Sequence, residues 1–203
     1  MLTRLLFIHI FGGDRMLLYW FFSYFIGTFL TAWWIGKWKK TDLRKMRSGN
    51  LGARNAGAVL GKSAFLLTFL GDALKGVFVL FIGFYYSFPA VIIATGGFWV
   101  IVGHLYPFWL KWKGGKGIAT FVGVALLFNP SLFGIMAAIF IFFIAILRSA
   151  TLSMIIAFSA YAILCWVIPT FWSAWPLSLA VIIILIRHRF DIVESWDERW
   201  WKK

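Results

Sequence analysis

The chain has 203 residues, 62% of them hydrophobic and only 13% charged, with a mean hydropathy of +0.87 and a formal net charge of +13. A water-soluble domain is about half apolar and could not hide this much apolar surface, so lipid is the solvent these residues require. The Lys and Arg residues gather beside apolar runs and leave no polar, aromatic-bearing surface of the kind a nucleic-acid module presents, which argues against a nucleic-acid partner and for a membrane face.

The opening Met1-Leu2-Thr3-Arg4, followed by Leu5 to Phe11, has some look of a short signal. It lacks a small-residue cleavage site and runs into Gly12-Gly13-Asp14-Arg15, so 1–15 is expected to be a retained interfacial segment. Apolar stretches follow at 16–36, 64–86, 88–110, 117–129, 131–147, 151–168 and 174–186. They predict seven crossings, the fourth and seventh short against the roughly 20 residues a full crossing needs, as in a thinned bilayer or a re-entrant segment. The separators are Phe88-Pro89, Asn129-Pro130-Ser131, Arg148-Ser149 and the stretch from Pro169 through Pro176. The expectation is an all-α, polytopic membrane protein of about seven transmembrane helices, a single domain over 1–203 with a cytoplasmic tail at 193–203.

Charge fixes the expected orientation. The connection 37–62 holds Lys37, Lys39, Lys40, Arg44, Lys45, Arg47, Arg54 and Lys62 against Asp42. The third connection holds Lys111, Lys113 and Lys116, the fifth Arg148, and the tail Arg187, Arg189, Arg199, Lys202 and Lys203, whereas the second, fourth and sixth carry no charge. Alternation therefore puts the basic loops and the C-terminus in the cytoplasm and the N-terminus outside. Trp33, Trp34, Trp38, Trp109, Trp112, Trp172 and Trp175 fall at predicted span ends, where indoles prefer the headgroup layer. Cys165 has no partner for a disulfide, and no zinc spacing is present.

Three segments carry candidate chemistry. Arg47-Ser48-Gly49-Asn50-Leu51-Gly52-Ala53-Arg54-Asn55 is a glycine-punctuated turn entering a helical pattern, where backbone N–H groups and a helix N-terminus could cradle a phosphate; the alternative is a solvated basic turn that sets topology. Gly103-His104-Leu105-Tyr106-Pro107 leads to Lys113-Gly114-Gly115-Lys116-Gly117, whose glycines offer bare backbone donors around a lysine. This is no Walker loop, since it lacks the leading glycine and the Ser or Thr after the lysine. Arg187-His188-Arg189-Phe190-Asp191 ends the last span, as a snorkelling cap or as half of an anion site. Asp72 and Lys75 share a helical face inside the second span, where charges are either paired or functional.

Taken in order, Ser48-Gly49-Asn50-x-Gly52-Ala53-x-Asn55, Gly61-Lys62, Asp72-x-x-Lys75-Gly76, Gly103-His104-x-x-Pro107, Lys113-Gly114-Gly115-Lys116-Gly117-x-Ala119-Thr120 and His188-Arg189 resemble the PlsY-type acyl-phosphate:glycerol-3-phosphate acyltransferases of bacterial membranes, over about 24–192. The resemblance implies seven helices in the bacterial inner membrane, a site facing the cytoplasm, and transfer of a fatty acyl group from acyl-phosphate to glycerol 3-phosphate. The products implied are lysophosphatidic acid and phosphate, in phospholipid biosynthesis without metal, nucleotide or other cofactor. It implies catalytic roles for Ser48 and His188. A binding set of Arg47, Gly49, Asn50, Arg54, Asn55, His104, Gly114, Gly115, Lys116, Arg189 and Asp191 would hold the two substrates beside membrane lipid.

The chain departs from that pattern in places. Ala58 stands where an arginine is common and Arg54 where a threonine is usual, so Arg54 is expected to supply the cation from the previous turn. Arg47 replaces a glycine, and His188-Arg189-Phe190-Asp191 replaces His-Arg-Glu-Asn, so Asp191 is expected to need Arg189 or Arg187 as a partner beside a phosphate. A relative with another acceptor, an anion transporter and a non-catalytic lipid-binding protein are the other readings; a transporter is disfavoured by the lack of internal repeats with midplane polar residues in both halves.

Overall fold

In lipid every backbone polar group needs a partner within the chain, and long apolar sequences meet that demand as helices. The computed structural model describes residues 2–197, with side chains from residue 13, and among these there is no strand. Ten α-helices follow in order: α1 (Leu2–Thr28), α2 (Thr31–Trp38), α3 (Ala53–Leu60), α4 (Lys62–Tyr85), α5 (Ala90–Leu105), α6 (Ile118–Phe128), α7 (Pro130–Leu147), α8 (Ala150–Val167), α9 (Trp175–Arg187) and α10 (Arg189–Asp197). Residues 2–15, expected at the interface, continue into the first span as one helix, and 193–197 of the expected tail belong to α10. The remaining tail residues 198–203, with Arg199, Lys202 and Lys203, lie outside the described residues, as does Met1.

Among the described residues six stretches are long and apolar enough to cross a membrane: Gly13–Trp38, Lys62–Tyr85, Ala90–Leu110, Pro130–Leu147, Ala150–Val167 and Pro169–Arg187. The last of these exceeds the expected 174–186 because a 3-10 turn, Pro169–Ala174, feeds directly into α9. The expected span at 117–129 is α6, whose 11 residues rise about 16 Å, roughly half the hydrocarbon thickness. The separators act as read: the Asn129 side chain caps α7 by accepting from the Leu132 N–H at 2.9 Å with Pro130 in the first turn, and Ser149 caps α8 at Leu152.

Many large apolar side chains lie on the outer surface. Leu17, Phe21, Leu66, Leu74, Phe81, Phe142 and Ile182 are all exposed, which in water would be an aggregating surface and in lipid is an ordinary one. The buried core runs through Val79, Leu80, Val100, Ile101, Phe121, Tyr161 and Ile184. Backbones approach closely where side chains are smallest. A Cβ on Gly103 would lie 2.1 Å from the Tyr24 carbonyl oxygen, and one on Gly27 2.2 Å from that of Val100, so α1 and α5 touch through glycines.

The expected first span, 16–36, is broken at Phe29 and Leu30, between α1 and α2. A helix that ends inside a bundle leaves carbonyls without partners. Here Lys75 Nζ donates to Gly27 O at 3.0 Å and Phe29 O at 2.7 Å, and Trp109 Nε1 donates to Thr28 O at 3.1 Å. The buried lysine thus caps α1 with a cation at the negative end of its dipole.

Candidate functional site

The N-termini of α3, α4, α6 and α8 and the C-termini of α5 and α9 contribute to the walls of one cavity of about 450 Å³. The three segments singled out in the sequence therefore converge. Of the expected site residues, Arg47, Ser48, Asn50, Arg54, Asn55, His104, Lys116, His188 and Asp191 line this cavity.

The first wall is the turn before α3. Arg47 and Gly49 take left-handed backbone angles, φ +48° and +66°, and Asn55 Nδ2 reaches back to the Leu43 carbonyl at 3.0 Å. Asp42 pins the same turn: it accepts from the Arg44 N–H and guanidinium, and the latter hydrogen bond holds its carboxyl down at about 2. Gly49 shapes the bend and does not itself line the cavity. Helix α3 is preceded by Gly52 with no side-chain cap, so the first-turn N–H groups of Ala53 and Arg54, two residues that line the cavity, have no intrahelical partners. Among the described residues, the buried Asn55 Oδ1 also has no hydrogen-bond partner.

The second wall corrects the sequence reading. Gly114 and Gly115 do not offer bare donors to a ligand, because their N–H groups bond the carbonyls of Leu105 and His104, each at 3.1 Å. Neither lines the cavity; they are small so that the loop can wrap on His104, since a Cβ on Gly115 would sit 2.1 Å from His104 Nε2. His104 is 2% exposed, and its Nδ1 lies 2.7 Å from Lys75 Nζ. An ammonium only donates, so Nδ1 accepts, sharing the three N–H groups of Lys75 with Gly27 O, Phe29 O and Asp72 Oδ1, and the ring proton belongs on Nε2. Asp72 Oδ1 completes the cluster, accepting from Lys75 at 3.2 Å and from the Thr31 hydroxyl at 3.1 Å. The pair is structural and also borders the cavity through Asp72.

The third wall is the end of α9 and the start of α10. His188 is 4% exposed and its Nδ1 donates to Ile184 O at 2.9 Å, which leaves Nε2 as the ring's acceptor. Burial first, then the positive charges of Lys116 and Arg187, keep it below its ordinary pKa. Asp191 pairs with neither Arg189 nor Arg187, contrary to expectation; both of its carboxylate oxygens rest on Lys116 Nζ. Arg189 is not brought to the cavity: it is exposed, lies over the Phe190 ring and donates to Ile186 O, because the turn of the helix points it outward. Arg187 lies over the Tyr106 ring.

Sequence reasoning missed Glu194 and the apolar side made by Phe65, Phe69, Ile118 and Met154. Glu194 follows His188 and Asp191 at intervals of three, a helical spacing that was open to view; the apolar residues carry no such signal, since in a span they look like any lipid-facing side chain. Among the described residues no three His, Cys, Asp or Glu side chains gather as a metal-ligand set. The cavity thus joins arginine, lysine and unused backbone N–H groups, suited to phosphate, to an apolar flank suited to an acyl chain.

Known proteins are similar to this chain in sequence and in fold. The profile of the family described as Glycerol-3-phosphate acyltransferase matches residues 17–198. Glycerol-3-phosphate acyltransferase 1 of Bacillus cereus is 38% identical over 177 residues, covering 87% of this chain and 97% of that protein. The glycerol-3-phosphate acyltransferase of Staphylococcus saprophyticus is 40% identical over 182 residues, covering 84% and 89%. The crystal structure of PlsY, an integral membrane glycerol 3-phosphate acyltransferase, in its glycerol 3-phosphate form aligns with a TM-score of 0.82 at 29% identity, covering 91% of this chain and 94% of that one. Its lysophosphatidic acid form aligns at 0.80 and 28%, covering 91% and 93%. With its motifs in order, its cavity where they converge and a profile match across nearly the whole length, the chain belongs to the glycerol-3-phosphate acyltransferase family.

Proposed function

We propose that this protein transfers a fatty acyl group from an acyl-phosphate to glycerol 3-phosphate, forming lysophosphatidic acid and inorganic phosphate. One observation carries the reading: a single cavity holds Arg47, Arg54, Lys116 and His188 beside Phe65, Phe69 and Met154, so phosphate and acyl chemistry meet in one place. Solved relatives in glycerol 3-phosphate and lysophosphatidic acid forms support the acceptor and product.

An acyl-phosphate is a mixed anhydride with a good leaving group, so the task is to hold two anions together and in line. The acceptor's primary hydroxyl oxygen attacks the acyl carbonyl carbon; a new C–O bond forms, and the bond from that carbon to the phosphate-bearing oxygen breaks. The phosphate leaves with the electron pair, and the hydroxyl proton reaches it by way of His188 Nε2. His188 Nε2, held as an acceptor by the bond from Nδ1 to Ile184, would receive the acceptor's hydroxyl hydrogen bond and aim it. Lys116, Arg54 and the first-turn N–H groups of α3 would hold phosphate and stabilise charge on the departing group. Ser48 and Asn50 line the cavity beside them and would contact the reacting centre. In the membrane the basic loops belong on the cytoplasmic side of the bacterial inner membrane, which puts the cavity mouth where glycerol 3-phosphate is dissolved.

The test is product identity. Purified protein in lipid, given acyl-phosphate and isotopically labelled glycerol 3-phosphate, should yield labelled lysophosphatidic acid, and an acyl-thioester donor should not substitute. Label remaining wholly in glycerol 3-phosphate would refute the proposal.

A further inference from the structure

The lysine that would hold phosphate is already occupied. Lys116 Nζ is gripped by both carboxylate oxygens of Asp191, each side chain about a quarter exposed at the cavity wall. We propose that Asp191 is an internal competitor for Lys116: it holds the lysine in the substrate-free protein, yields it to an arriving phosphate, and so sets the affinity of the site for phosphate-bearing molecules. The inference rests on the acyltransferase reading for its substrates, though not for the contact itself.

Charge balance makes the competition matter. The cavity is lined by the cations Arg47, Arg54 and Lys116 and by the carboxylates Asp72, Asp191 and Glu194. Asp72 is answered by Lys75, which leaves three cations facing two carboxylates, a net excess of one. Two phosphate-bearing substrates bring more negative charge than that excess can offset. Asp191 and Glu194, three residues apart, present both carboxylates from one side of α10 to the same space. A phosphate on Lys116 would therefore meet two like charges unless that side withdraws.

Helix α10 is built so that it can withdraw. Among the described residues it has no buried side chain and packs on α8 and α9, following α9 directly after His188. Moving Asp191 off Lys116 thus opens no core. Neither Arg187 nor Arg189 is ion-paired to Asp191, so among the described residues the lysine is its one counter-ion and substrate phosphate its direct rival.

The competition is read with the full chain in lipid and inorganic phosphate as the probe. In Asp191→Asn, and in Asp191→Ser as a second variant, phosphate should bind about three- to tenfold more tightly, the range expected for removing a partly exposed, charge-assisted partner. The KM for glycerol 3-phosphate should fall in step, with no matching rise in kcat. Asp191→Glu keeps the carboxylate and should stay near the parent. In a Lys116→Met background the Asp191→Asn change should lose its effect. If Asp191 instead positions Lys116 productively, Asp191→Asn will weaken phosphate binding, and that result, or no change, overturns the proposal. Equilibrium dialysis with labelled phosphate reads the affinity without turnover, so a protein inactive on glycerol 3-phosphate but tightened by Asp191→Asn would sink the acyltransferase reading alone.

Discussion

Lys75 Nζ stands 2.7 Å from His104 Nδ1 and 3.2 Å from Asp72 Oδ1, with all three residues buried, and the same ammonium holds the Gly27 and Phe29 carbonyls at the broken end of α1. The cluster ties α1, α4 and α5 together at the cavity wall, which Asp72 and His104 line. Removing one member leaves a buried charge uncompensated, which typically costs about 3–5 kcal/mol. Asp72→Asn should therefore lower the thermal unfolding midpoint in detergent sharply. Asp72→Asn with Lys75→Met should lose less than the two single losses added. Near-neutral single variants would mean the network does not hold the end of α1.

Gly115→Ala drives a Cβ to within 2.1 Å of His104 Nε2, and the loop has to move. Lys116 is the next residue, and a misplacement of about 1 Å at a reacting site can cost about 10²-fold in rate. Initial-rate assays should show a loss of that order with little loss of expression. Gly134→Ala is the control: the added methyl group would have nothing within 4 Å, the position lies within α7, and the change should be neutral or stabilising by up to about 1 kcal/mol.

Arg54 and Ala58 both line the cavity, one helical turn apart on α3. Arg54→Thr alone should raise the KM for glycerol 3-phosphate about tenfold or more, as for loss of a charge-assisted hydrogen bond. Arg54→Thr with Ala58→Arg should restore phosphate affinity from the next turn. A double variant as impaired as the single would mean that the two positions do not serve the same phosphate.

The segments that converge were legible because their signals are local. The turn ending in Asn55, the Lys116 loop and His188 each combine glycine or a helix end with a cation, and Asn129-Pro130 and Ser149 announce helix starts. What was not legible depends on where the chain returns. The use of the Gly114 and Gly115 N–H groups follows from the loop folding back on the carbonyls of Leu105 and His104. Asp191 chose Lys116 over two arginines nearer in sequence because the turn from α9 into α10 faces 188, 191 and 194 to the cavity and Arg189 outward. The break after Thr28 was invisible because apolar composition continues through it, and only Lys75 and Trp109, far along the chain, account for its carbonyls.

His188 gives a pH signature. Burial is the main reason its pKa lies below the ordinary 6.5, so the unfolded chain binds this proton before the folded one does. Stability is then complete above 6.5 and is lost as pH falls from there through the folded value. His188→Gln should flatten that part of the loss in unfolding measurements between pH 6.5 and lower pH. It should also lower kcat by about 10²-fold, the usual scale for a group that handles a proton or hydroxyl in the transition state. An unchanged pH slope in the variant would contradict a buried, neutral imidazole.

The most direct measurement is phosphate release by the purified protein in lipid, supplied with acyl-phosphate and titrated with glycerol 3-phosphate. Release should rise with the acceptor and match lysophosphatidic acid mole for mole, and Lys116→Met should abolish the dependence. Release that ignores glycerol 3-phosphate, or none at all while the lipid substrate still binds, would contradict the account.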